Sequence, residues 1–275
     1  MAILKNLSQQ GAQVRALVRN QTQADKVTVF KGVEVAYGDL LNETSLEDAL
    51  QGIKVLYFIC PNMSPDELKI GTNLIRLAKK QQVQRFVYHS VLHPQIEEMP
   101  HHWQKMRMEE ALLASGLVFT ILQPCAYMQN ILGGWKNIQA GRYVVPYNPE
   151  ARISIVDLED IGKVAAKVLL ETGFSNAIFE LAGPEALSQI EVAEKISETL
   201  KQKVTAIQQP HAEWKENAIN AGLPALEIEW LLKMFNYYDH YGLTGNSFVL
   251  ERLLATSPTT FNQFLNRIQT SGGTA

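Results

Sequence analysis

The chain has 275 residues, with 25 Lys and Arg against 28 Asp and Glu and a net charge of −3. No basic run supplies the electrostatic footprint that direct nucleic-acid binding needs, and no apolar run approaches the ~18 residues of a membrane span. A composition of 46% hydrophobic and 19% charged residues is that of a soluble globule able to bury a large core, one α/β unit with a small appended lobe. Lys5, Asn6, Ser8, Gln9 and Gln10 interrupt the N-terminus, which does not read as a signal peptide, so the expected location is cytoplasmic.

In chain order, residues 2–10 read as a helix ended by Gly11. Residues 13–18 alternate as a strand, with Arg19 and Asn20 at its carboxyl end, and 33–36 form a second strand followed by Gly38, Asp39 and Leu40. Thr44 and Glu47 have capping-box spacing for a short helix to Leu50. Residues 54–59 are continuously apolar, as for a strand covered on both faces, and end at Cys60 and Pro61. Ser64, Pro65 and Glu67 predict a second boxed helix start, running to about Gln82.

The next stretch organises the rest. A buried strand over 86–91 leads through a His/Pro-rich loop to a helix over 103–115 and a second buried strand over 118–122. Trp103, Met106, Leu112 and Leu113 define the helix's apolar stripe, and Gly116 ends it. Two such strands lie parallel, and open α/β sheets bind ligands at the carboxyl ends of their strands, which brings Ser90, His101 and Lys105 to one crevice. Alternation at this rhythm predicts a doubly wound parallel sheet. Beyond Pro124 the pattern predicts a helix over 127–139, strands over 142–145 and 177–181, a helix from Asp157 to Leu170, and a boxed helix from Ser188 to Leu200. A β-like segment at 204–207 precedes a helical tail whose aromatic residues suit a second lobe, a dimer face or a ligand cap. The terminal SGGTA reads as frayed.

Cys60 and Cys125 follow apolar runs far apart, the pattern of two buried thiols. His89, His93, His101 and His102 lie within fourteen residues, yet no HExxH or carboxylate at fixed spacing accompanies them, so no metal site is assigned. Ser90 lies outside any Gly-x-Ser-x-Gly elbow, which argues against a serine hydrolase.

QVRALVRN, GVEVAYGDL, SLEDAL, KVLYFICP, the strand ending in His89, Ser90 and Val91, the helix with Lys105, SGLVFTILQP, IVDLEDIGKVAA and FELAGPEALSQIEVAEKIS together resemble the NmrA-like proteins, atypical relatives of the short-chain dehydrogenases. The resemblance covers roughly residues 2–207. It implies a Rossmann-like NAD(P)-binding domain over 1–182 and a smaller, mostly helical C-terminal substrate or interaction lobe over 183–275, with 127–151 contributing to that lobe. It also places Arg19 beside the 2′-phosphate of NADP, where a guanidinium pairs bidentately, and so implies NADP over NAD. Asp39 and Leu40 would flank the adenine, Cys60 and Pro61 would pass under the cofactor, and Lys105 would hold the nicotinamide ribose. Without the resemblance, Arg19 and Lys105 read as solvated side chains.

Two departures stand out. Four residues before the lysine, where catalytic relatives carry a proton-donating tyrosine, stands His101, which shares a helix face with Lys105 and can itself supply a proton. The family's first strand and Gly-rich turn, which seat the pyrophosphate on a helix N-terminus, have no counterpart before Ala2. That strand would be central, so the expectation is that Met1 lies downstream of the protein's true start. Two functions follow from the resemblance. One is NAD(P)H-dependent reduction of a small quinone-like or carbonyl substrate, with Lys105 orienting the ribose, Ser90 holding the substrate oxygen, His101 donating the proton and Tyr127, Met128 and Trp135 lining the substrate pocket. The other is a non-catalytic NADP(H)-binding redox sensor acting through a protein partner. A remnant that binds no dinucleotide is the third.

Overall fold

The computed structural model describes residues 1–270; Ser271 to Ala275, read above as a frayed end, lie outside the described residues. The first half alternates helix and strand: α1 (Ala2–Gln9), β1 (Val14–Val18), α2 (Gln21–Val27), β2 (Val33–Tyr37), α3 (Glu43–Leu50), β3 (Val55–Phe58), α4 (Glu67–Lys80), β4 (Arg85–His89), α5 (Pro100–Leu113) and β5 (Phe119–Pro124). There follow β6 (Ala126–Tyr127), a 3-10 segment (Met128–Gly134), α6 (Trp135–Gln139), β7 (Arg142–Val145), β8 (Ile153–Val156), α7 (Leu158–Leu170) and β9 (Ala177–Leu181). The chain closes with β10 (Glu185–Leu187), α8 (Gln189–Leu200), β11 (Thr205–Gln208), α9 (His211–Asn220), α10 (Ala225–Tyr241), α11 (Phe248–Leu254) and α12 (Phe261–Thr270). No helix among the described residues is long and apolar enough to cross a membrane.

Two compact units share these elements, and the chain passes between them repeatedly. The first comprises Met1–Pro94, Gln104–Gln123 and Glu159–Phe179; the second comprises Gln95–Trp103, Pro124–Leu158 and Glu180–Ala275. In the first, the strand pairs β1–β2, β3–β4 and β4–β5 are all parallel, as the alternation predicted and as the Rossmann-like domain implied by the resemblance requires. Every residue of β5 is buried, and in β4 only Arg85 is not, as sheet centres covered on both faces require. Helix α4 packs Ile70, Leu74, Leu77 and Ala78 on one side, while Lys79 and Lys80 in its last turn oppose the helix dipole.

The sheet is interrupted. Strands run β3-β4-β5-β9 in one sheet, while β1 and β2 form a two-stranded sheet of their own. Among the described residues no strand stands between β1 and β3, the place the resemblance assigns to the family's first strand. The consequence shows in β3, expected to be covered on both faces: as an edge strand it buries only Phe58. β1 is tied in by Leu17, which packs against the core containing Leu46 and Phe86, and by the Arg15 guanidinium, which donates to the Ala49 and Gln51 carbonyls at 3.0 and 2.7 Å.

Several local expectations are corrected. Helix α3 is capped not by Thr44 but by Asn42, whose side chain accepts from the Ser45 amide at 3.0 Å, because the helix already begins at Glu43. Helix α4 begins at Glu67 after Asp66, with no side-chain cap, so the Ser64 box does not form. The helix expected over 127–139 is a short strand, a 3-10 segment and a five-residue α-helix, since Gly133 and Gly134 break it. The Ser188 box does form: the Ser188 hydroxyl accepts from the Glu191 amide at 3.1 Å, and Glu191 reaches back to the Ser188 amide at 2.8 Å.

The second unit has a three-stranded sheet, β10-β8-β6, and a parallel pair, β7 with β11. Its core gathers Met128, Ile131, Ile196, Phe261, Phe264 and Ile268. The aromatic tail therefore packs largely inward, although Phe248 is 57% exposed.

Candidate active site

Because β3, β4 and β5 are parallel, their carboxyl ends share one edge, and Cys60, Ser90 and Gln123 stand there in the first unit. Helix α5 faces them with a stripe that is half polar. In the part of α5 that belongs to the first unit, Lys105, Met108, Glu109 and Leu112 are buried and Leu113 is 50% exposed; in the part that belongs to the second, His101 and His102 are buried and Trp103 is 36% exposed. The apolar stripe expected at Trp103 and Leu113 is thus on the outside.

Two hydrogen-bonded groups account for the buried charges. In the first, the Lys105 ammonium donates to Glu67 Oε1 at 2.7 Å and the Tyr88 hydroxyl donates to the same oxygen at 2.5 Å. Lys105 Nζ also lies 5.7 Å from the Tyr88 ring centroid. Burial is affordable here because each charge finds an opposite charge and further bonds. Burial, then the Glu67 charge, raises the Tyr88 phenol well above its ordinary pKa and keeps it protonated as a donor.

In the second, the Ser90 hydroxyl donates to Glu109 Oε1 in a short contact, and the Gln123 amide donates to Glu109 Oε1 and Oε2 at 2.9 and 3.0 Å. Burial raises the Glu109 carboxyl pKa, opposed by the bonds from Ser90 and Gln123 and by the Lys105 charge. Beside them, Tyr57 Oη lies 2.5 Å from His89 Nδ1, and burial, with the Lys105 charge, lowers His89 to about 3, so its imidazole is neutral. Burial first, and Glu67 second, pushes the Cys60 thiol up to about 12; burial likewise pushes Cys125 up to about 12. Both cysteines are free and buried, as their settings predicted.

Among the residues singled out from the sequence, Ser90 and Lys105 come together through Glu109, which bonds one and feels the charge of the other. His101 is buried one turn before Lys105 on α5, in the stretch of that helix that belongs to the second unit. Arg19 is exposed at the end of β1, and its guanidinium has no ion-pair partner among the described residues. Asp39 is exposed and accepts from the Leu41 amide at 2.8 Å, Leu40 packs on the core, and Pro61 is exposed. Tyr127, Met128 and Trp135 belong to the second unit: Met128 is fully buried in its core, Trp135 packs on that core, and Tyr127 lies in β6. Among the described residues no three His, Cys, Asp or Glu side chains gather as a metal centre would.

Glu67, Tyr88, Glu109 and Gln123 were not picked out from the sequence. Glu67 was assigned to a helix cap. Glu109 carried one available signal, its place four residues after Lys105 on the same helix face.

A parallel sheet with a polar, buried cluster at its carboxyl edge is the plan of a nucleotide-dependent α/β protein, and the chain belongs to the NmrA-like family, whose model matches residues 1–265. It is 26% identical over 253 residues to an NAD(P)H azoreductase of Xenophilus azovorans, spanning 91% of this chain and 87% of that protein. It is 24% identical over 257 residues to quinone oxidoreductase 2 of Escherichia coli, spanning 94% and 90%. The crystal structure of the NADPH-dependent quinone oxidoreductase 2 of E. coli, complexed with NADPH, superposes with a TM-score of 0.85 at 24% identity, covering 98% of this chain and 95% of that one.

Proposed function

We propose that this chain is an NADPH-dependent reductase of small quinone-like or carbonyl substrates. The observation that carries the reading is the buried polar pair at the carboxyl edge of the sheet, the Lys105 ammonium of α5 held by Glu67 and the Ser90 hydroxyl after β4 held by Glu109. The residues present suit the adenosine end of such a cofactor. Arg19 offers an unpaired guanidinium to a 2′-phosphate, and Tyr37 at the end of β2, Leu41 after it and Ile59 after β3, each more than half exposed, offer apolar surface to a flat base. The relatives named as an NAD(P)H azoreductase and a quinone oxidoreductase support the same chemistry.

When bound, a reduced nicotinamide supplies hydride. Lys105 orients the ribose, and its ammonium is held for that purpose by Glu67, itself anchored by Tyr88. Ser90 presents its hydroxyl to the substrate oxygen that gains charge. The buried thiols fit a reducing compartment, and we place the protein in the cytoplasm.

The test is a thermal-shift titration with NADPH and NADH, followed by quinone turnover. NADPH at about 100 times its dissociation constant should stabilise the protein by about 2.7 kcal/mol. Lys105→Met should lose most turnover while remaining folded. Binding without turnover of any quinone or carbonyl acceptor would replace the reductase by a redox sensor, and no NADPH shift from a folded chain would remove both readings.

A further inference from the structure

Hydride transfer to a quinone supplies two electrons and one hydrogen, so forming the hydroquinone needs one proton more. We infer that Glu109 stores this proton and that Ser90 relays it: the Ser90 O–H bond breaks toward the substrate oxygen, Glu109 returns a proton to Ser90, and Glu109 is recharged from solvent between turnovers. The inference rests on the reductase reading for its substrate, but the store itself is a property of the chain alone.

The geometry suits a group that must exist in both protonation states. With Glu109 ionised, it accepts from Ser90 and twice from Gln123. With Glu109 protonated on Oε1, its O–H donates to the Ser90 hydroxyl, which turns to accept and frees its own hydrogen for the substrate oxygen, while the Gln123 amide keeps donating to Oε2. A serine hydroxyl can switch from donor to acceptor in this way and a neutral amide can donate to either form of the carboxyl, whereas an arginine or lysine in their place would favour the ionised carboxylate. Glu109 is 3% exposed and Ser90 is 3% exposed, so water does not short-circuit the pair. The charged and titratable groups around Glu109 are Lys105 on its own helix and Tyr88 on β4, with Glu67 of α4 reached through both. Lys105 is already paired with Glu67, which weakens its stabilisation of the Glu109 carboxylate. Burial is then the larger influence and raises the Glu109 pKa, in the direction a proton store needs. Glu109 acts through Ser90 and is a positioning residue in this scheme; Ser90 touches the substrate.

Infrared difference spectroscopy on the full chain without cofactor reads the store directly. As pH rises, a protonated-carboxyl stretching band should persist above the ordinary Glu value of about 4.3 and should be missing in Glu109→Gln. In NADPH-driven quinone reduction, wild-type kcat should fall as pH rises through the Glu109 pKa. Glu109→Gln should be slower by on the order of 10²-fold and lose that limb. Ser90→Ala should keep the infrared band yet lose turnover, and Ser90→Thr should restore most of it. A band absent from the wild type or surviving in Glu109→Gln overturns the inference, as does an unchanged pH limb in Glu109→Gln with the limb lost in His101→Gln. A band that titrates as expected in a chain that binds no NADPH would count against the reductase reading and leave the store standing.

Discussion

Replacing Glu67 by leucine tests the first of the two buried groups. Lys105 is 8% exposed and Glu67 2% exposed, and one carboxylate oxygen receives both the ammonium, at 2.7 Å, and the Tyr88 hydroxyl, at 2.5 Å. Glu67→Leu strands a buried ammonium, which costs about 3–5 kcal/mol, and leaves the phenol short of a bond worth about 1 kcal/mol. Lys105→Met strands the carboxylate instead, eased only by Tyr88. Removing both charges together leaves an apolar pair and a single unmet hydroxyl, so the double variant should lose only about 1 kcal/mol, with a coupling of at least ~2 kcal/mol between the sites. Urea unfolding followed by tryptophan fluorescence resolves this: at a slope of about 3 kcal/mol/M, the Glu67→Leu midpoint drops by about 1–2 M, and the double variant regains most of that. A Glu67→Leu midpoint within ~0.3 M of wild type, or a double variant no more stable than Glu67→Leu, refutes the reasoning.

Arg19→Glu should weaken NADPH by about 10- to 100-fold, the loss of a charge-assisted bond of about 1.5–3 kcal/mol, and leave NADH nearly unchanged in calorimetric titration; equal losses defeat the 2′-phosphate assignment. Cys60 and Cys125, with thiols at about 12, should resist an aromatic disulfide reagent at about pH 8 until the chain unfolds, since only the thiolate attacks. His89 falls to about 3 when folded against about 6.5 unfolded, so between these values the unfolded state binds the extra proton. Stability should therefore decline as pH falls from about 6.5 toward 3, by up to about 1.4 kcal/mol per unit, and this slope should shrink in His89→Gln; an unchanged slope assigns the acid lability elsewhere. Gly183→Ala would place a methyl 1.8 Å from the Ile155 carbonyl oxygen and should cost about 3 kcal/mol or more, whereas Gly133→Ala meets nothing within 4 Å and should be close to neutral.

The parallel sheet was legible because its strands are apolar runs that local pattern alone identifies. β4 and β5 are buried nearly throughout and looked it. Helix α2 was missed because it buries only Ala24, so no apolar period marks it; its signal is the Asn20 cap accepting from the Gln23 amide at 3.0 Å. Strands β8 and β10 were missed for another reason. Their pairing, Glu185 with Ile155 through Leu187 with Ile153, joins segments about thirty residues apart, and three or four residues carry too little alternation to be seen alone. Gly183 marks where the chain must pass against the Ile155 carbonyl, a requirement that only the partner strand reveals.

The site was half legible, and α5 shows why. Hydrophobic periodicity ranks Trp103 and Leu113 above Lys105 and Glu109 for burial, yet the helix turns the charged pair inward. A lysine and a glutamate four residues apart ordinarily pair with one another on a helix surface. Here no ion pair joins them among the described residues: Lys105 goes to Glu67 of α4, and Glu109 goes to Ser90 after β4 and Gln123 of β5. The partners that make the inward orientation stable lie on other elements, 38 residues before Lys105 and 14 after Glu109, where no window on the helix can find them. Separate partners keep the ammonium, held by Glu67, and the serine hydroxyl, held by Glu109, as two distinct groups at the sheet edge. The conflict between pattern and packing on α5 thus includes the two positions that the proposed chemistry uses, Lys105 and Glu109, while the apolar positions Met108 and Leu112 of the same helix remain fully buried in the core.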